Sequence, residues 1–485
     1  MHAFLGNAQL PSTPRGDRLE FSEWYAEVLR SAEIMDVRYP VKGMYVWLPY
    51  GFEIRQRVVE KLRRKLRETG HEEVLFPTLI PETQLKKESE HIAGFEDEVY
   101  WVTHGGLKEL DEKLALRPTS ETAIYPMFAL WIRSHADLPL KIFQIVNTFR
   151  YETKHTRPLI RMREITTFKE AHTAHATEEE AEEQVKEAVE IYSSFFDELG
   201  IPYIASVRPE WDKFPGAEYT VAFDTLMPDG RTLQIGTVHM LGQNFARTFE
   251  VTYETEEGDQ EYVYMTCYGI SDRVVASMIA IHGDERGLVL PPDVAPYQVV
   301  MVPILKKGVR RKILERAAEV EEMLREEGVR VKVDDRDMSP GRKFHYWELK
   351  GVPLRIELGA RELEEGTAVV FRRDELERET YAFEELPDVV PELLEDIAME
   401  LRKRAREKFE KGIFRTDSPE EARRLVGEGI VETGWCGSER CGVRMEEEFG
   451  GDVLGTPYPE EDTEFERCPI CGETAEYTVR IAKTY

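Results

Sequence analysis

Four of the five cysteines in this chain fall in its last fifty residues, as Cys436, Cys441, Cys468 and Cys471. The pattern is Cys-x4-Cys, twenty-six residues, then Cys-x2-Cys followed by Gly472. Two close pairs of thiols, each able to clamp one side of an ion, suit tetrahedral zinc. Four thiolates leave no open coordination position, so the expected role of the metal is structural. Buried free thiols are the ordinary alternative, and a redox pair at Cys468 and Cys471 would leave the other pair unexplained. Arginines form the second chemical group. Neither G-x-x-x-x-G-K-[ST] nor G-x-G-x-x-G occurs, so a bound nucleotide needs another device to hold its phosphates. Three segments offer one. Arg117-Pro118-Thr119-Ser120-Glu121 opens an amphipathic stretch. Phe149-Arg150-Tyr151-Glu152 precedes a polar loop that ends in Ile160-Arg161-Met162-Arg163-Glu164. Gly269-Ile270-Ser271-Asp272-Arg273 leads into an apolar helix. Taken singly, the first is a helix-capping pattern and alternating Arg and Glu is a solvated strand face.

These residues need a scaffold, and the composition supplies one. At about 150 residues per domain, a chain of 485 makes about three domains. An apolar fraction of 41% excludes wholesale disorder. No run approaches about 18 apolar residues, and Met1–Asn7 lacks a basic-then-apolar leader, so neither a membrane span nor a secretory signal is expected. Lys plus Arg minus Asp plus Glu is 64 − 93 = −29, which excludes basic wrapping of a duplex. A local basic face stays possible because the Debye length is about 8 Å in physiological salt. Periodicity predicts helices over 52–69, 178–199 and 389–411, with strand-like runs at 74–76, 203–205, 218–226, 231–240 and 247–254. After the proline-rich 290–296 linker the texture becomes β (297–304), α (309–327), β (329–334), α (341–350), β (353–358) and β (367–372), a small α/β unit.

In their order along the chain, the three arginine-bearing segments resemble the signature motifs of class II aminoacyl-tRNA synthetases. Their detail resembles the prolyl-tRNA synthetase family of archaeal or eukaryotic type. Further matches are Glu170–Thr173, Gln234–Phe245, His282–Asp284 and Gly341–Gly351. The resemblance covers nearly the whole chain, cysteine tail included. It implies an α+β protein of three parts. These are a class II catalytic domain over 1–289 (an antiparallel sheet flanked by helices), an α/β anticodon-binding domain over 296–400, and a C-terminal zinc-binding α+β domain over 405–485. Isolated matches of His91–Gly94 and Asp337–Ser339 to class I signatures are too short to weigh against this.

The implied reaction is ATP-dependent attachment of L-proline to tRNA(Pro) through a prolyl-adenylate. Positioning and charge stabilisation carry such chemistry, so Cys267 needs no catalytic role and is expected to be a packed thiol. By the resemblance, Arg150, Glu152 and Arg273 are catalytic. Thr119, Glu121, Arg150, Phe168, His172 and His239 bind proline. Arg150, Glu152, Arg161, Gln234, Thr237, Ser271 and Arg273 bind ATP, with Mg²⁺ near Glu152 and Gln234. The family's motif is one residue shorter between Arg163 and Phe168, so either Ile165 or Phe168 stacks on adenine. A homodimer is implied about the 52–69 helix and the following strand, in the cytoplasm, without membrane association. Arg336, Arg342, Lys343, Lys350 and Arg355 are candidates for local positive charge in the anticodon-binding part, with pairing to nearby acids as the ordinary alternative. Tyr485 is expected near the active site. The 165–268 segment has no room for a large editing domain, so misactivated alanine and cysteine are expected to escape clearance on this chain. The alternatives are a sister class II enzyme for another amino acid, and an inactive paralogue that binds RNA or regulates a partner.

Overall fold

The computed structural model describes residues 18–87 and 98–485. Met1–Asn7 and the His91–Gly94 match lie outside the described residues. Alternation along the strand Glu164–His175 turns Lys169 and Ala171 to one face of a sheet, and Glu170 and His172 to the other. The same division runs through its neighbours. Tyr268 and Val238 join the apolar core, while Cys267, Thr237 and His239 line a cavity on the opposite side. One face of this sheet is therefore a floor for helices, and the other is a floor for chemistry.

The apolar face is covered by the helix Glu178–Glu198, which buries Val185, Ala188, Ile191, Tyr192, Phe195 and Phe196. Thr177 caps it by accepting the Glu180 N–H, and three glutamates in the first turn oppose the helix dipole. The helix Pro49–Glu68 begins at a proline and buries Ile54, Val58, Leu62 and Leu66, the stripe expected from its spacing.

The sheet has eleven strands. At its centre Ile204–Val207, Tyr219–Leu226, Thr232–Gly242, Tyr264–Ile270, Glu164–His175 and Leu140–Phe149 pair antiparallel in that spatial order. The cysteine-bearing tail extends the same sheet. Its strand Asp452–Pro457 pairs with Ile204–Val207 through Thr456↔Val207 and Pro457↔Ser206. A separate five-stranded sheet in the α/β unit has three parallel strands, Val331–Val333, Val299–Pro303 and Leu354–Leu358, and two antiparallel ones, Thr367–Arg372 and Arg378–Ala382.

Several expectations are corrected. Val74–Phe76 is not a strand: the pairing is confined to Glu72–Glu73, and Pro77 lacks the N–H needed to extend it. The 247–254 run splits into the helix Asn244–Phe249 and the strand Thr252–Glu254, because Phe245, Ala246 and Phe249 are spaced to bury one helical face. The helix Ala360–Glu365 and strand Arg378–Ala382 were not anticipated, since both are mostly polar and carry no apolar period. Most of the expected positive charge in the α/β unit is internal. Buried Lys350 pairs with Glu33, and buried Arg355 with Glu348 and Glu357. Arg336 grips Asp334 with two nitrogens, and Lys343 donates to the Asp334 carbonyl. Arg342 is exposed.

Burial keeps His71, His175, His239 and His282 as neutral rings. Burial holds His71 and His239 down to about 3, and His175 and His282 down to about 4. The unfolded chain binds these protons near pH 6.5 and the folded chain does not, so stability is full above that pH and falls as pH drops towards 4. Denaturant unfolding at pH 5 and pH 7 should differ by on the order of 1–2 kcal/mol for each such ring. Equal stability at the two pH values would contradict this burial.

Candidate active site

The polar face of the central sheet floors a cavity of about 480 Å³. Thr119, Glu121, Arg150, Glu152, Arg161, Phe168, His172, Gln234, Thr237, His239, Ser271 and Arg273 all line it. The structure thus brings together every amino-acid and nucleotide candidate outside the cysteine tail. Glu121 is the first residue of the helix Glu121–Trp131, and Arg150 follows the strand Leu140–Phe149. Glu152 and Arg161 stand on the loop between strands, and Arg273 opens the helix Arg273–His282.

The strand pairing carries a β-bulge within the second motif. Val146 faces Phe168 but Thr148 faces Ile165, so three steps on one strand oppose two on the other. Buried Asp272 pins the bulge by accepting the N–H groups of Thr166 (2.7 Å) and Thr167 (3.1 Å). The bulge lets residues three apart share a face, so Ile165 and Phe168 both line the cavity.

One end of the cavity is acidic. Glu121 and Glu170 are both buried there. The Thr119 hydroxyl donates to Glu121. Gln144 donates to Glu170 at 2.8 Å, and His172 Nε2 lies 3.3 Å from it. The two carboxyls are driven apart. Burial raises Glu121 above the ordinary carboxylate range. Burial also pushes on Glu170, but the hydrogen bonds from His172, Ser120 and Gln144 outweigh it and hold this group below that range. His172 Nδ1 sits 2.9 Å from the Tyr125 hydroxyl. His239 is fixed by Thr220 at 2.8 Å, with the Phe214 ring 4.6 Å from its own. The pocket at this end is small, partly aromatic and short of cations.

The other end is basic. Burial lowers Arg150, and it lowers Arg273 to about 10, where the nearby Arg150 and Arg161 push the same way. Arg273 donates to the backbone of Ile160 at 2.9 Å and of Gln234 at 3.3 Å, which fixes its fork. Arg161 donates to Glu152 at 3.4 Å and to the terminal backbone oxygen of Tyr485 at 3.1 Å. The Tyr485 ring lies under the Arg231 guanidinium at 3.6 Å, and its hydroxyl donates to Asp229. Crowded guanidinium groups in a desolvated cavity are a site for an anion of several charges.

Sequence reasoning missed two contributors. Glu170 stood within a quoted motif without a role, although its spacing of two from His172 puts both on one face. Arg208 gave no signal. It is buried and donates to Gln234 Oε1 at 3.0 Å, to Asp224 at 2.9 Å and to the Leu454 carbonyl of the tail at 2.6 Å. With one lone pair of its amide oxygen so engaged, Gln234 keeps both N–H bonds of its NH₂ group as donors.

Cys436, Cys441, Cys468 and Cys471 converge, with their sulfurs all within 4.8 Å of one another. The Cys436 and Cys471 sulfurs are 3.7 Å apart, against the ~3.8 Å edge of a tetrahedron whose sulfurs lie ~2.3 Å from zinc. The donor set and its spacing fit that ion.

The comparisons agree with this geometry. Residues 100–282 match the tRNA synthetase class II core domain (G, H, P, S and T), 298–393 the anticodon binding domain, and 419–485 the prolyl-tRNA synthetase C-terminal model. A proline–tRNA ligase of Methanothermobacter thermautotrophicus is 59% identical over 96% of both chains. That of Methanocaldococcus jannaschii is 58% identical over 96% of this chain and 100% of the relative. Among solved structures, Giardia lamblia prolyl-tRNA synthetase in complex with prolyl-adenylate superposes with a TM-score of 0.94 at 38% identity, covering 98% and 100% of the two chains. Prolyl-tRNA synthetase from Cryptosporidium parvum, complexed with L-proline and AMP, gives 0.90 at 35%, covering 97% and 96%. The family-model matches and the full-length similarity lead to one conclusion: the chain belongs to the proline–tRNA ligase family of class II aminoacyl-tRNA synthetases.

Proposed function

We propose that this chain activates L-proline with ATP and transfers it to tRNA(Pro). The observation that carries this reading is the polarity of the cavity, with buried carboxylates at one end and converging arginines at the other. Proline's secondary ammonium enters the acidic end, where Thr119 and Glu121 accept its two N–H bonds. Phe168, His172 and His239 enclose the ring. The carboxylate then lies against Arg150, whose planar fork also reaches the α-phosphate. A carboxylate oxygen attacks the α-phosphorus, and the bond to pyrophosphate breaks. Arg150 meets the charge that develops there, while Arg161 and Arg273 hold the phosphate chain. The terminal ribose hydroxyl of the tRNA next attacks the acyl carbon and AMP leaves. No side-chain nucleophile is required.

Glu152 offers a carboxylate to magnesium travelling with ATP. Gln234 is better placed as an N–H donor to a phosphate oxygen, because Arg208 holds its oxygen. Thr237 and Ser271 complete the nucleotide contacts, and Ile165 or Phe168 faces adenine. Zinc, held by the four tail cysteines, supplies a cross-link to a part of the chain with a modest core of its own.

Three further readings belong to the same proposal. The divisions at 1–289, 296–400 and 405–485 describe the catalytic, anticodon-binding and zinc-binding parts. The chain works in the cytoplasm as a homodimer. Exposed Leu75, Leu79, Trp101 and Trp131 support this, for Leu75 and Leu79 follow the helix Pro49–Glu68 in the chain, Trp101 stands on the same three-stranded sheet as Leu79, and Trp131 packs on Phe76. Among the described residues no helix is long and apolar enough to cross a membrane. Finally, alanine and cysteine are misactivated and not cleared, since the 165–268 segment is taken up by strands and helices of the catalytic part.

Amino-acid-dependent ATP–pyrophosphate exchange across the twenty amino acids tests the reading. Proline should dominate, with alanine or cysteine about 10–200-fold weaker, as pocket discrimination against small analogues allows. Arg150→Ala should lower proline exchange by about a thousandfold, and Glu121→Ala should act mainly on the KM for proline. Near-normal exchange in Arg150→Ala, or dominance of another amino acid, would overturn the assignment. Native mass spectrometry should show a dimer with one zinc ion per chain; a zinc-free monomer would contradict both statements.

A further inference from the structure

The acidic end of the cavity holds a thiol, Cys267, that the proposed reaction does not use, beside two residues, Glu121 and His172, that it does. Register places His172 directly opposite Cys267, and Cys267 directly opposite His239. Three adjacent strands therefore set an imidazole, a thiol and an imidazole side by side on the cavity face. Glu121 reaches the same point from the start of its helix. One ligand atom from each of Glu121, His172 and Cys267 lies within 4.8 Å of the other two, and all three residues are buried.

We infer that Glu121, His172 and Cys267 form a binding site for a soft divalent cation, zinc in particular, and that this cation and proline's ammonium exclude one another. The chemistry favours zinc. A carboxylate, an imidazole and a thiolate are its usual ligands at ~2.0–2.3 Å, and they suit magnesium poorly. The surroundings orient the ligands. In the metal-bound state the Tyr125 hydroxyl accepts a hydrogen bond from His172 Nδ1–H, and Nε2 gives up its hydrogen bond to Glu170 to offer a lone pair instead. The Thr119 hydroxyl holds the Glu121 carboxylate. The charge also favours it, because Glu121 and Glu170 are buried together and call for a cation at this end. On coordination the Cys267 thiol loses its proton to solvent, and no other bond changes. The metal site stands on this geometry alone; only the exclusion of proline rests on the function proposed above.

Cobalt(II) added to the full-length, zinc-loaded enzyme is the probe, read as a thiolate-to-cobalt absorption band. The tail site does not touch the cavity, so the informative signal is the difference between spectra with and without saturating proline. The band should appear in wild type, disappear with proline, and be absent in Cys267→Ser. Zinc should inhibit exchange competitively with proline. Cys267→Ser should weaken that inhibition by at least the about tenfold that losing an outer supporting contact costs. A wild-type enzyme with no band beyond that of the tail site would overturn the inference, as would an unchanged band in Cys267→Ser. A Cys267-dependent band indifferent to proline but displaced by another amino acid would uphold the metal site and overturn the proline reading instead.

Discussion

Two carboxylates buried side by side, Glu121 and Glu170, are the constraint on which the rest of the site depends. Desolvating one ionised carboxyl is costly, and desolvating two within one small pocket is costlier unless hydrogen bonds and a cation compensate. Gln144, Ser120 and His172 supply the hydrogen bonds for Glu170 and hold it ionised. Glu121 has Thr119 as its donor and remains the group that a cation serves best. The arginines at the far end complete the logic. The two ends are thus complementary to a ligand that carries a cationic group at one end and an anionic group at the other.

Holding these groups in place takes both faces of one sheet. Helices pack on the apolar face, so the strands cannot slip by one residue without exchanging Glu170 and His172 for Lys169 and Ala171. Lys169 illustrates how firmly the faces are separated. It is fully buried on the helix side, with Tyr192 and Tyr268 around its ammonium. The tail is fastened to the same sheet and reaches the cavity at two points. Leu454 accepts a hydrogen bond from Arg208, which holds Gln234, and the terminal Tyr485 meets Arg161. The cysteine-bearing part far along the sequence is thereby connected to the arginine-lined end of the cavity.

Much of this was legible from residue order. The cysteine spacing announced a cluster of four thiols able to hold a metal, and the three arginine segments announced the guanidinium groups that gather in one cavity. The long helices followed from their apolar stripes. What stayed hidden depended on tertiary placement. Arg208 is an ordinary arginine until a strand pairing sets it against Gln234. The bulge at Ile165–Phe168 read as a stray insertion because a bulge is a property of two strands, not one. The charges of the α/β unit looked available for RNA, yet Lys350 and Arg355 turn inward to acids that lie near them only once the chain has folded. The 247–254 run read as one strand because the end of a short helix and a short strand carry nearly the same apolar residues.

The central claim is that buried carboxylates select their ligand by its ammonium. Calorimetric binding of L-proline, compared with its ring-oxygen analogue tetrahydrofuran-2-carboxylate, tests it most directly. The two molecules share size, ring and carboxylate, and only proline carries N–H bonds and positive charge. The account predicts that the oxygen analogue binds at least about a hundredfold more weakly, because it leaves buried acceptors unpaired. Comparable affinities would contradict it and move the source of selectivity to the shape of the ring pocket.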